Sequence, residues 1–150
     1  MKFGAVAIAL WATVSSAALA ANPSHVEQLK KVNACVGCDL SNADLSGLIL
    51  IHANLRNANL QGANLRNTSL FLSNLEKANL ENADLGAAYL YGSNLQQANL
   101  TGANFSQAVL RSAILKGANY CAANLRGADL SDTDMILENC SAQSGQAPIR

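Results

Sequence analysis

Large apolar side chains recur at every fifth residue from position 40 to position 135, without insertion or deletion. Seventeen of these twenty centres are Leu, and Phe105, Tyr120 and Met135 fill the rest, so every one carries a side chain that seeks burial. Ala stands two places before the centre in fourteen units, and Asn or Asp directly before it in fifteen. The units ANLRN, ANLQG and ANLRN at 53–57, 58–62 and 63–67 show the rule most plainly. A period of five fits neither an α-helix, with 3.6 residues per turn, nor a strand, with two. The pattern therefore predicts a turn in every unit. Four units, each one side of a square, make a coil of twenty residues whose interior holds the centres and the small residues two places before them. The intervening Asn or Asp is a residue type that bonds its own local backbone and tolerates turn geometry. Successive coils stack at the strand spacing of about 4.8 Å.

The repeat fills residues 38–137 of a 150-residue chain, which leaves short flanks. Residues 1–20 carry Lys2, an apolar run from Phe3 to Val14 and small residues ending Ala18, Leu19, Ala20. That anatomy predicts a secretory signal peptide removed after Ala20. The apolar run falls short of the roughly 20 residues a membrane span needs. Residues 21–37 are read as a linker and an N-terminal helical cap. Ser24 and Glu27 have capping-box spacing, and a helix is expected from about His25 to Ala34, with Val26, Leu29 and Val32 or Asn33 along one side. Such a helix would cover the first coil, where an open solenoid end exposes apolar side chains and strand edges. Residues 138–150 form a small, polar tail.

These units resemble those of the pentapeptide repeat family, which read A-[DN]-L-x-x. The resemblance covers Cys38 to Leu137 and implies an all-β solenoid, a right-handed quadrilateral β-helix of about five coils, roughly 24 Å long at the strand spacing, with a short N-terminal capping α-helix. The signal segment, the short helix and the Cys-Val-Gly-Cys-Asp-Leu stretch also resemble lumenal and periplasmic members from cyanobacteria and other bacteria. The expected location is thus the periplasm or the extracellular space, or the thylakoid lumen for a cyanobacterial chain.

Four cysteines in a small exported chain suggest disulfides. On a solenoid, Cys35 and Cys38 lie at one end and Cys121 and Cys140 at the other, so the expected pairs are 35 with 38 and 121 with 140. The second pair requires the chain to leave the coil path near Glu138, because Cys121 is outward and Cys140 in phase with the inward centres. The spacing Cys-Val-Gly-Cys also invites a reading as a thiol–disulfide exchange motif, although such pairs usually open a helix and here the predicted helix precedes them. Two cysteines are too few for a tetrahedral zinc site, and His25 and His52 lack ligand spacing. No metal or cofactor is expected.

Sorting the outward positions four to a coil separates one side from the others. Around Leu50, Leu70, Leu90 and Leu110, the flanking outward positions hold Ile49, Ile51, His52, Phe71, Leu72, Tyr89, Tyr91, Val109 and Arg111, with Ile114 just round the corner. Cross-strand packing of β-branched and aromatic residues explains single departures from the polar rule. Their confinement to one side instead suggests a contact surface, with Tyr and Arg of the kind enriched in interface cores. A carbohydrate or small-ligand platform is the third reading.

The formal charge is zero, which gives no long-range attraction to nucleic acid or to an anionic membrane. The leading expectation is a non-enzymatic exported module that binds an unknown protein partner, or forms a homodimer, through the apolar-aromatic side. No nucleic acid and, after signal removal, no membrane is expected as a partner. The resemblance also implies an alternative, topoisomerase inhibition by DNA mimicry, as in some cytosolic proteins of that family. Here residues 38–137 hold eight acids against six bases, far from the dense acidic field such mimicry needs. Catalysis has no support in a rod filled with Leu and Ala, apart from the thiol–disulfide alternative for Cys35 and Cys38.

Overall fold

The computed structural model describes residues 21–136. The expected signal peptide and the tail lie outside these residues. From Ala34 onward, parallel bridges join residues twenty apart, beginning with Ala34 to Asn54 and ending with Val109 to Asp129. Each bridge is a single residue pair, because a turn every fifth residue leaves room for one paired residue per side. The centres form a continuous interior: Leu40, Leu45, Leu55, Leu60, Leu65, Leu70, Leu75, Leu80, Leu85, Leu90, Leu95 and Phe105 are completely buried. Alanines two places before them fill the remaining interior space. Full burial of one Leu contributes about 1.5–3 kcal/mol, and stacking makes each coil depend on its neighbours.

The corners have a common geometry. The amide two residues before each centre donates to the carbonyl of the preceding centre, as Ala43 N does to Leu40 O at 3.1 Å. The residue two places after each centre lies in the left-handed region, from Gly37 to Asp132, whether it is Gly, Asn, Lys, Gln, Ala or Leu. A positive φ at the third turn position is the signature of a type II turn. The Asn or Asp before the centre does bond local backbone, as expected: Asn74 Oδ1 accepts from Glu76 N at 3.0 Å. It is nevertheless the bridging residue and not the left-handed one. Its amide group also builds ladders down the outside, Asn79 Nδ2 donating to Asn59 Oδ1 and Asn99 Nδ2 to Asn79 Oδ1.

Helix α1 (Pro23–Val32) differs in its bounds from the helix expected at His25 to Ala34. Asn22, not Ser24, is the N-cap, and its side chain accepts from Ser24 N at 3.0 Å. Proline at the first helical position suits this start because its missing N–H would have no intrahelical partner there. Asn33 ends the helix at φ 54, its amide donating to Leu29 O. Leu29 is buried in the core, Val26 is partly buried against it, and Val32 is 63% exposed. Asp39 N donates to His25 Nδ1 at 3.0 Å and Asn33 Nδ2 donates to Ile51 O at 2.6 Å, which ties both ends of α1 to the coil.

Several aspartates support the corners in their ionised form. At Asp84, burial pushes the carboxyl upward, but hydrogen bonds from Gly86 N, Arg66 and Asn104, with the Arg66 charge, outweigh it and hold it below the usual range. At Asp39 the Ser41 hydroxyl and amide lower it in the same direction. A depressed folded pKa contributes stability that is present above the unfolded value near 3.8 and is lost as pH falls through the folded one. The melting temperature is therefore expected to hold steady above about pH 4.5 and to fall at lower pH. Asp84→Asn should make that fall shallower in thermal melts across the acid range, and an unchanged slope would rule out its share.

Candidate interaction face

The side centred on Leu50, Leu70, Leu90 and Leu110 departs from the Asn ladders because its bridging column runs Ile49, Ser69, Tyr89, Val109 and Asp129. The coil register brings together the residues singled out from the sequence. Ile49 is 76% exposed, Ile51, Leu72, Tyr89 and Ile114 are about two-fifths exposed, and Phe71, Tyr91 and Val109 are partly buried beside them. Phe71, Tyr89 and Tyr91 have ring centroids 5.7–6.4 Å apart and planes within 22° of each other. Their rings stack on one another, so part of each aromatic face is already occupied. His52 meets Phe71 edge to face at 6.0 Å. At the lower end, exposed Arg111 pairs with Asp132, Nε to Oδ2 at 3.3 Å.

The corner beside this side carries a local cost. Leu72 sits at φ 52, where a bulky side chain is a genuine outlier, roughly 1–2 kcal/mol above the ordinary helical region. Two features accommodate it. Gly92 lies beneath it, and a β-carbon there would come within 2.6 Å of Leu72 Cδ2. Leu70 O accepts from both Ser73 N and Ser73 Oγ, at 3.1 and 2.7 Å. Ser93 and Leu90 repeat that double bond one coil below.

Of the two residues expected to follow Val26 and Leu29 along the helix stripe, Val32 or Asn33, the structure exposes Val32 and half-buries Asn33. Val32 is adjacent to Asn33, whose side chain holds Ile51 O, so an apolar residue stands at the upper end of the face. The signal available in the sequence was its three-residue spacing from Leu29, which does not distinguish the inner helix stripe from the helix end.

The first cysteine pair is formed: Cys35 and Cys38 are disulfide-bonded with Cα atoms 5.3 Å apart. Cys35 is itself an inward centre of the coil and Cys38 is nearly as deeply buried. A buried bridge offers little access to an attacking thiolate, unlike the exposed pairs used for exchange. Cys121 has a free, half-buried thiol, and its expected pairing with Cys140 falls outside the described residues. Among the described residues, no group of three or more His, Cys, Asp and Glu side chains is placed to hold a metal ion.

The family pattern of pentapeptide repeats matches residues 35–70, 68–107 and 103–136, eight copies in all. The chain belongs to the pentapeptide repeat family. This pentapeptide repeat protein accordingly has the family's right-handed quadrilateral β-helix. It is similar to a pentapeptide repeat protein of the Arabidopsis thaliana thylakoid lumen, 31% identical over 67% of this chain and 70% of that one, with a TM-score of 0.52. A pentapeptide repeat protein from the cyanobacterium Cyanothece 51142 is 33% identical, covering 73% and 96% of the two chains, with a TM-score of 0.49. One from Nostoc is 28% identical over 75% and 97%, with a TM-score of 0.43. No curated protein matches the chain in sequence.

Proposed function

We propose that this pentapeptide repeat protein is a non-enzymatic, exported interaction module. It is a rigid rod of about five coils, covered at its N-terminal end by α1, that offers its apolar-aromatic side to a protein surface, either a second copy or a different protein. The observation that carries the reading is the clustering of exposed Ile49, Ile51, Leu72 and Tyr89 with Phe71 and Tyr91 on consecutive coils of one side, Ile114 lying on the adjoining side with Val36 and Ile136 near its two ends. Packing between neighbouring strands would favour Ile and Tyr on any side and gives no reason for a Leu at a left-handed corner. A sugar platform is disfavoured because the rings already cover one another.

The apolar segment at residues 1–20, the Cys35–Cys38 bridge, which suits an oxidising compartment, and the lumenal relative support export. Among the described residues no helix is long and apolar enough to cross a membrane. Arg56 pairs with Glu76, Arg66 with Asp84 and Arg111 with Asp132, so three of the eight acids in residues 38–137 already face a guanidinium, which weighs against DNA mimicry.

The test is light scattering of the oxidised protein over a concentration series, beside a double variant Phe71→Ser, Tyr91→Ser. The expected result is association in the parent chain, or capture of a protein from an extract of the exported fraction, that the double variant loses. Equal association and equal capture by a folded double variant would refute the reading.

A further inference from the structure

The relief of the apolar-aromatic side changes from one coil to the next. Its bridging column runs Ile49, Ser69, Tyr89 and Val109, and the second member is the small one. Ile49 above Ser69 and Tyr89 below it are exposed, whereas Ser69 is half-buried. The column therefore carries a notch at Ser69 and a projecting ring at Tyr89. Leu70 N donates to Tyr89 O at 2.8 Å and Tyr89 N to Thr68 O at 3.0 Å, which fixes the two positions one coil apart. Stacking on Phe71 and Tyr91 holds the Tyr89 ring in place, so little ordering cost remains for its use as an anchor. Among the described residues, neither the Ser69 nor the Tyr89 hydroxyl has a hydrogen-bond partner.

A ring and a notch on neighbouring coils of one column are complementary to themselves. A two-fold axis lying across the side, halfway between the two coils, reverses height and sets each column against itself. Tyr89 of each copy then meets Ser69 of the other, and Ile49 meets Val109. An axis along the rod instead exchanges the columns and sets Tyr89 against Tyr91. The ends of the rod agree with the first arrangement. Lys30 and Lys31 stand in the last turn of α1, at the upper end beside Val32, and Asp129 and Asp132 stand at the lower end with Arg111. Glu27 offsets Lys30 and Arg111 offsets Asp132, which leaves Lys31 and Asp129 as the net charges of the two ends. Antiparallel rods bring these opposite charges together.

We propose that the occupant of the apolar-aromatic side is a second copy of this chain, docked antiparallel, with the Tyr89 ring of each copy seated at Ser69 of the other. The proposal rests on the reading of that side as an interaction surface. Such an isologous contact closes on itself as a dimer, and the Tyr89 hydroxyl donates to Ser69 Oγ across it. A single side about 24 Å tall offers less than the roughly 800 Å² per partner of a standard interface. The dissociation constant is therefore expected at roughly 10–100 μM.

The experiment measures self-association of the full oxidised chain by sedimentation equilibrium up to about 1 mM, beside Ser69→Tyr, Tyr89→Ser and the variant carrying both. Filling the notch or removing the ring should each raise the dissociation constant about 10-fold or more. The combined variant moves ring and notch past each other by one coil, which restores the fit about the same axis. It should return to within about 3-fold of the parent, and thermal melts check that each rod is folded. Equal or tighter association of Ser69→Tyr, the response of a merely sticky surface, would overturn the docking. So would a combined variant no better than the single ones. A parent chain that stays monomeric yet captures another protein, and loses it with Phe71→Ser and Tyr91→Ser, would overturn the second copy as occupant and leave the interaction module standing. A monomer that captures nothing would overturn both.

Discussion

Replacing Phe105 by Ala is expected to lower the free energy of unfolding by about 3–5 kcal/mol. Phe105 is a completely buried centre between Leu85 and Leu125 in one interior column. In a globular core, neighbouring elements shift to close part of such a void. Here the spacing of coils is fixed on both sides of the gap by Leu85 N donating to Asn104 O and Phe105 N to Asn124 O, so relaxation is limited. The melting temperature should fall by roughly 15 °C or more. Because stability in a solenoid propagates between neighbours, the coil below the gap should lose hydrogen-exchange protection before the coils above it. Phe105→Leu, which restores the commonest centre, should cost under about 1.5 kcal/mol. Urea unfolding of the three proteins checks the order, and a loss below 1 kcal/mol for the Ala variant would mean the column can collapse.

Leu72→Asn should separate binding from stability. Asn is the residue that most readily adopts the left-handed corner after Gly, and Asn42, Asn57, Asn67 and Asn82 already do so here. Removing Leu72 forfeits its contact over Gly92 but relieves the backbone cost. The unfolding free energy is therefore expected to stay within about 1 kcal/mol of the parent. The proposed association, in contrast, should weaken 10-fold or more, the effect of losing an anchor worth about 1.4 kcal/mol or above. Thermal melts and sedimentation or capture assays on the same samples give the comparison. Unchanged association would remove Leu72 from the contact surface, and a large loss of stability would make its role one of packing.

Much of the coil was legible because one rule, large apolar at the centre and small two places before it, is enforced by a sealed interior. The corner was less legible. The left-handed positions hold Gly62, Lys77, Ala87, Gln97 and Leu72, with no shared residue type, because the stacked hydrogen bonds outweigh a cost of roughly 1–2 kcal/mol wherever a side chain other than Gly or Asn is used. The Asn or Asp before the centre makes the expected local hydrogen bond, but the left-handed residue is the one two places after the centre. The start of α1 was also missed: Asn22, Pro23 and Ser24 offer two competing caps, and proline's fixed φ favours the earlier one. Cys35 as a coil centre was hidden because it breaks the Leu rule. The apolar side was legible once the outward positions were sorted by coil, but the support from Gly92 beneath Leu72 requires knowing that residues twenty apart stand one above the other.

That twenty-residue registry constrains how such a sequence can change in length. Loss or gain of one complete coil leaves every later residue on its own side and merely alters the height of the rod. Loss of a single five-residue unit still satisfies every inward position, so the fold should survive it, yet all later residues advance by a quarter turn. A deletion between Leu72 and Tyr89 would leave Ile49, Ile51 and Phe71 facing one way and carry Tyr89, Tyr91 and Val109 onto the adjoining side. The continuous surface would be cut in two while the interior noticed nothing, so lineages are expected to tolerate insertions here in multiples of twenty and to be punished, through recognition alone, for insertions of one, two or three units.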